Sequence, residues 1–156
     1  MKTHGRVSGN PNTLTMGGYS GSYVVHESFC LKIPNGMPLE LSAPILCAGV
    51  TMYSPLEHWG FTKGVKKTVG IIAIGGLGTM GIKIARALGH DVVAVSTSAK
   101  KEAMAREKGA THFVVSKDPE SIAKHAGMCD ILLNTVSANH DLNLYLPLLA
   151  KSGILV

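Results

Sequence analysis

Apolar residues in the second part of the chain gather into short runs separated by amphipathic stretches. The runs at 69–74, 91–95, 112–115, 130–134 and 153–156 predict strands. The stretches at 78–88, 99–108, 119–125 and 140–150 carry apolar positions at helical spacing and predict helices. Alternation of elements of this length predicts a parallel sheet covered by helices. The first part is patterned differently. Residues 1–17 are rich in Gly, Asn, Pro and Thr and read as irregular. Tyr23–His26 and Phe29–Ile33 read as short strands, followed by a turn at Pro34-Asn35-Gly36. Residues 39–46 and 50–58 read as two helical pieces, broken by Pro44 and Gly49, with Pro55 kinking the second or lying near its start. Residues 60–67 read as a linker.

The chain is organised around VGIIAIGGLGTMGIKIARALG, residues 69–89. An apolar run breaks into Gly75, Gly76, Gly78 and Gly81, and helical spacing then resumes through Ile84, Ala85 and Leu88. Strand, glycine turn and helix in this order aim backbone N–H groups and the positive end of a helix dipole at one place above the strand, where a pyrophosphate fits. The spacing GxGxxG is met by Gly76, Gly78 and Gly81; in the neighbouring register Ala73 replaces the first glycine and Gly75 and Gly78 remain.

Composition narrows the alternatives. Hydrophobic residues make up 46% and charged residues 16% of the 156, which suits a folded core of one domain, or of one domain with part of another. No run of about 18 apolar residues predicts a membrane span, and the polar N-terminal stretch does not resemble a signal peptide, so a cytoplasmic location is expected. The net charge of +5 is dispersed and aromatics are only 5%, a poor match to a nucleic-acid platform. Cys30, Cys47 and Cys129 form no CxxC pair and predict neither a disulfide framework nor a structural zinc site.

The second strand bears on the choice of dinucleotide. NAD-binding domains of this type place an acid about 20 residues past the glycines to bind the ribose hydroxyls. Here the strand is followed by Ser96, Thr97, Ser98, Ala99, Lys100 and Lys101, and the first carboxylate is Glu102. Hydroxyls and ammonium groups without an opposing acid favour a 2′-phosphate, and so NADP over NAD. The same residues also suit a helix cap at Ser98 followed by solvated lysines.

Taken together, GGYSGSYVVHESFCLKIP, APILCAGVTMYSPLEHWG, GGLGTMGIKIA, STSAKKE, KGATHFVVS and ILLNTVSANH resemble the zinc-dependent medium-chain alcohol dehydrogenases. Within that family the chain looks like the branch of NADP-dependent cinnamyl-alcohol-dehydrogenase-like enzymes. The resemblance runs from about Gly17 to the end. It implies an incomplete Rossmann-type doubly wound parallel sheet at 50–156, preceded at 1–49 by a remnant of a β-rich GroES-like catalytic domain. It implies that Cys47 ligates zinc and that Thr51 lies near the nicotinamide and its ribose. It assigns Gly75, Gly76, Leu77 and Gly78 to the pyrophosphate turn. It assigns Ser96, Thr97, Ser98 and Lys101 to the 2′-phosphate pocket, with Lys100 beside it. Thr135 and Val136 fall where the family flanks the nicotinamide end.

The resemblance further implies reversible hydride transfer between NADP(H) and a primary alcohol or aldehyde, and a possible homodimer. Several family features have no counterpart here: another zinc-ligand cysteine, a His-Glu pair, a four-cysteine zinc site and the sixth strand. Thr79 stands where many relatives have His. Catalytic zinc needs about three protein ligands, and Cys47 alone cannot supply them. His26, His58, His90, His112, His125 and His140 lie in different elements without close metal spacing; His58 is expected to meet the carbonyls ending its helix, and His4 to belong to a tail. The chain alone is therefore expected to show little or no dehydrogenase activity. The alternative expectation is a truncated NADP(H)-binding module without catalysis.

Overall fold

The computed structural model of the chain describes residues 21–156. The irregular reading of residues 1–17 and the tail reading of His4 lie outside the described residues. From Thr68 onward the predicted alternation is present. Five strands, β1 (Thr68–Ile72), β2 (Asp91–Ser96), β3 (His112–Val115), β4 (Cys129–Asn134) and β5 (Leu149–Leu155), form one sheet in the order β3-β2-β1-β4-β5. All four pairings are parallel. The order reverses at β1, between β2 and β4. Residues 38–156 form one unit by their internal contacts and residues 1–37 another.

The sheet is apolar on both faces because helices cover both. Val69, Ile71, Val92, Ala94, Ile131 and Leu133 pack on one side; Ile72, Val93, Val95, Val114 and Leu132 pack on the other. Strands buried in this way read as continuous Val/Ile/Leu runs, which is why they were visible in the pattern. Gly70 makes room for its neighbours: a Cβ there would lie 2.2 Å from Leu132 Cδ2 and 2.9 Å from Cys129 Sγ.

Helix α3 (Gly76–Ala87) follows β1, with Gly75 at its N-cap. It buries Gly78, Gly81, Ile82 and Ala85. Gly81 lets helix α2 (Val50–His58) approach, since a Cβ there would lie 2.5 Å from Met52 Cε. After β2 a 3₁₀ turn (Ala99–Lys101) leads into α4 (Glu102–Glu107), so the predicted single helix 99–108 is two pieces. Helix α5 (Pro119–Lys124) starts at an Asp118 cap whose carboxylate accepts from the Glu120 N–H at 3.1 Å.

Three expectations are corrected. Tyr23–His26 and Phe29–Ile33 are not strands. The described part of that segment holds one 3₁₀ turn, Glu27–Phe29, and Val24 is 98% exposed. An extended segment gains little without a paired neighbour, and among the described residues none pairs with it. Residues 140–150 do not form a helix. Two 3₁₀ turns, Leu142–Leu144 and Leu146–Leu148, occupy the stretch, and β5 begins at Leu149 rather than 153. Pro147 has no N–H to give and disfavours helical backbone at Leu146, which stops a continuous α-helix. The expected break at Pro44 and Gly49 is a widened turn instead. Helix α1 (Leu39–Pro44) runs through a π turn, Ile45–Gly49, into α2. One face of this tract packs inward through Ser42, Gly49, Met52 and Leu56, while Leu39, Leu46, Val50 and Tyr53 remain exposed. Among the described residues no helix is long and apolar enough to cross a membrane.

The linker 60–67 is held by a histidine. His90 is fully buried; its Nε2 lies 2.6 Å from the Phe61 carbonyl and its Nδ1 accepts from the Lys67 N–H at 3.2 Å. The carbonyl can only accept, so Nε2 carries the proton. The Lys67 ammonium lies 4.3 Å from the Phe61 ring centre. Replacing His90 with Ala leaves a buried carbonyl and N–H unpaired beside a void. The expected loss is about 2–4 kcal/mol, read as a lower midpoint in urea unfolding of the full chain; an unchanged midpoint would show that the linker is held by other contacts.

Candidate functional site

The turn between β1 and α3 distinguishes the two glycine registers by their backbone geometry. Ala73 adopts φ +69°, the left-handed conformation that the first glycine of such a motif supplies without steric cost. A Cβ on Gly78 would lie 1.9 Å from the Ala73 carbonyl oxygen. The operative set is thus Ala73, Gly75 and Gly78. The nominal GxGxxG at Gly76, Gly78 and Gly81 is one of spacing only, and Gly81 serves helix packing. The first N–H groups of α3 have no acceptor within the helix, and Gly76 and Leu77 at this end are exposed. Thr135 braces the turn from β4: its N–H and hydroxyl both reach the Ile72 carbonyl, at 3.1 and 2.8 Å, and the hydroxyl lies 3.2 Å from the Ala73 oxygen.

A hollow of about 240 Å³ opens at the carboxyl ends of β1, β2, β3 and β4, where the strand order reverses. It is lined by Ile72, Ala73, Ile74, Val95, Ser96, Thr97, Lys101, Ser116, Val136, His140 and Tyr145. No carboxylate is among them. Lys101 donates from Nζ to the Ile74 carbonyl at 2.9 Å, which brings an ammonium to the turn that follows β1. Ser96 is buried, and its hydroxyl accepts from the Ser98 N–H at 3.2 Å. The carboxylate of Glu102 is taken up by Arg106, 3.1 Å away on the next turn. A larger, mostly apolar hollow adjoins and shares Thr97, Ser116, His140 and Tyr145; its lining includes Asp141 and Lys117.

Of the residues singled out from the sequence, the fold brings Ser96, Thr97, Lys101 and Val136 into the crevice and Thr135 to its rim. Gly75, Gly76, Leu77 and Gly78 form the helix start beside it. Ser98 and Lys100 adjoin this group without lining the hollows. Thr51 and Cys47 lie on the α1–α2 tract: the Thr51 hydroxyl donates to the Cys47 carbonyl at 2.7 Å, and both residues are exposed. Ser116, His140 and Tyr145 were not evident from the pattern. Ser116 carries a signal of its own, since it follows directly on β3 much as Ser96 closes β2.

The chemistry of the lining fits a phosphorylated dinucleotide: a cradle of backbone N–H groups, buried and exposed hydroxyls, and a cation without a competing acid. The described residues do not fit a zinc ion. Among them no group of three or more His, Cys, Asp or Glu is placed to hold a metal. Cys129 is buried, and desolvation with the neighbouring Asp130 charge pushes its thiol up to about 12.

A parallel sheet that reverses order at a glycine turn, with a crevice at its carboxyl ends, defines the dinucleotide-binding α/β class. Residues 76–156 match the zinc-binding dehydrogenase family, and the chain belongs to that family. It is 49% identical over 144 residues to NADP-dependent alcohol dehydrogenase C 1 of Mycolicibacterium smegmatis, covering 92% of this chain and 41% of that protein. A solved cinnamyl alcohol dehydrogenase of Sorghum bicolor superposes with a TM-score of 0.83 at 38% identity, over 93% of this chain and 41% of that one. The cinnamyl alcohol dehydrogenase of Helicobacter pylori, solved with NADP(H), superposes with a TM-score of 0.77 at 37% identity, over 93% of this chain and 40% of that one. The chain thus spans about two fifths of the length of these relatives.

Three outcomes follow from the turn and the thiols. Ala73→Gly removes a left-handed alanine but loosens the unfolded chain, so the net gain is up to about 1 kcal/mol; a lower unfolding midpoint would contradict strain at this position. With a thiol reagent near neutral pH, exposed Cys30 and Cys47 react and Cys129 reacts only after denaturation. Because the folded thiol keeps its proton above the ordinary value of 9.0, the unfolded state binds fewer protons there. Cys129 therefore lowers stability as pH rises past about 9, a slope that Cys129→Ala should lessen in unfolding measured across pH.

Proposed function

We propose that this chain is the cofactor-binding portion of an NADP-dependent, zinc-dependent alcohol dehydrogenase, in which hydride passes reversibly between NADP(H) and a small primary alcohol or aldehyde. The observation that carries the reading is the crevice: the Lys101 ammonium lies 2.9 Å from the Ile74 carbonyl just past β1, with Ser96 and Thr97 in the same acid-free lining. When bound, the nicotinamide supplies or accepts the hydride. The chain's own residues do the holding. The start of α3 receives the pyrophosphate. Ser96, Thr97 and Lys101 receive the 2′-phosphate, with Ser98 and Lys100 alongside, and Thr135, Val136 and Thr51 lie toward the nicotinamide end.

In this reading residues 1–49 belong to a GroES-like catalytic domain and 50–156 to the cofactor domain, with the helical tract of α1 and α2 running across the boundary. Cys47 is the zinc ligand this chain contributes. A homodimer in the cytoplasm is the proposed setting. The absence of a metal-holding group among the described residues supports a second reading for the chain by itself, an NADP(H)-binding module that performs no chemistry.

Titration of the chain with NADPH and NADH, followed by calorimetry, tests the reading. NADPH is expected to bind at least about tenfold more tightly, as a charge-assisted contact to the 2′-phosphate implies. Lys101→Ala should remove most of that preference and leave NADH affinity unchanged. Equal affinity for the two dinucleotides would overturn the 2′-phosphate assignment.

A further inference from the structure

The loop that follows β4 has a hydrogen-bonded lock whose key member is His140. From Thr135 to Asp141 the backbone is neither helix nor strand, and residues 137–139 are exposed. His140 Nδ1 lies 2.7 Å from the Ala138 carbonyl, which can only accept, so Nδ1 carries the proton. The other ring nitrogen, Nε2, is then an acceptor. It faces Asn134 Nδ2 at 3.1 Å. The orientation of the Asn134 amide is fixed independently, because its Oδ1 accepts from the Val136 N–H at 3.2 Å. Each donor meets an acceptor in one arrangement only: Val136 to Asn134, Asn134 to His140, His140 to Ala138. Tyr145, 5% exposed, stands edge-on to the imidazole at 5.9 Å.

None of these bonds joins two strands of the sheet or two helices. What they fix is the shape of the loop where it meets the crevice, and His140 itself lines both hollows there. We propose that His140 is a positioning residue for the dinucleotide: by locking the loop after β4 onto Asn134, it holds Val136 and its own ring as one preformed wall of the crevice. The inference rests on the cofactor reading above. Both polar atoms of the ring are engaged within the protein, so His140 presents an apolar ring surface to the ligand, and its contribution is the same for NADPH and NADH.

The test compares NADPH and NADH binding to the full chain and its variants, with thermal unfolding as a control. His140→Phe keeps a ring but loses both bonds; it should weaken both dinucleotides about tenfold, the worth of one or two neutral hydrogen bonds, with the ratio between them and the unfolding temperature unchanged. His140→Gln, which can accept and donate, should recover affinity to within about threefold of the parent. Asn134→Ala removes the link from the other side and should weaken binding similarly, and the double variant should bind no worse than the weaker single. If His140→Phe fails to fold, Asn134→Ala carries the comparison. Parent-like binding by folded His140→Phe or Asn134→Ala, or no recovery with Gln, would overturn the role of His140 alone. Failure of the parent chain to bind NADPH would overturn the cofactor reading with it.

Discussion

The closest backbone approach that the site depends on is that of Gly78 to the carbonyl of Ala73. With a side chain at 78 the first turn of α3 could not lie over the end of β1, since even a Cβ would overlap the oxygen at 1.9 Å. That approach sets the height of the helix start above the sheet and bends the chain so sharply that Ala73 takes a left-handed conformation. It also explains why Thr135 spends its N–H and hydroxyl on β1 carbonyls. The turn is held from the neighbouring strand because the local backbone does not favour it by itself.

The electrostatic character of the crevice comes from one strand further out. Lys101 follows Ser98 in a 3₁₀ turn, and its flexible stem carries the ammonium back over the sheet to Ile74. Glu102, the nearest acid in the chain, begins the next helix and pairs with Arg106 on its own surface. A single residue of helix phase therefore separates a cation that faces the crevice from an anion that does not. The tract that carries Cys47 is built differently: Cys47 lies in a widened turn, and among the described residues no group of three or more His, Cys, Asp or Glu is placed to hold a metal.

Much of this was legible beforehand. Strands buried on both faces announce themselves as Val, Ile and Leu runs, and the glycine turn announces itself between the first run and its helix. The hydroxyl and lysine cluster after β2 could be read in the same way, although its split into crevice-facing and outward members could not. Spacing alone leaves the register of the glycines open, since Gly76, Gly78 and Gly81 meet it; the resemblance points to the register with Ala73 in place of the first glycine, and the backbone gives Ala73 the left-handed conformation. Residues 140–150 read as a helix because Leu142, Tyr145, Leu146 and Leu149 fall at helical spacing, while Pro147 forbids the helix. The wall formed by Ser116, His140 and Tyr145 depends on where three strands and a loop end in space, which no local pattern encodes.

The strand order has a kinetic meaning as well. β1 acquires its β2 neighbour after a short crossover, Val69 with Val92, but its β4 neighbour only when Ile131 arrives from far along the chain. Closing that longer loop costs more chain entropy before any contact is gained. The crevice lies between those two pairings, so it does not exist in a chain that has assembled only β1, β2 and β3. A dinucleotide therefore meets its full binding surface only after the most distant pairing in the sheet is made, and it can stabilise the finished domain without guiding its early assembly.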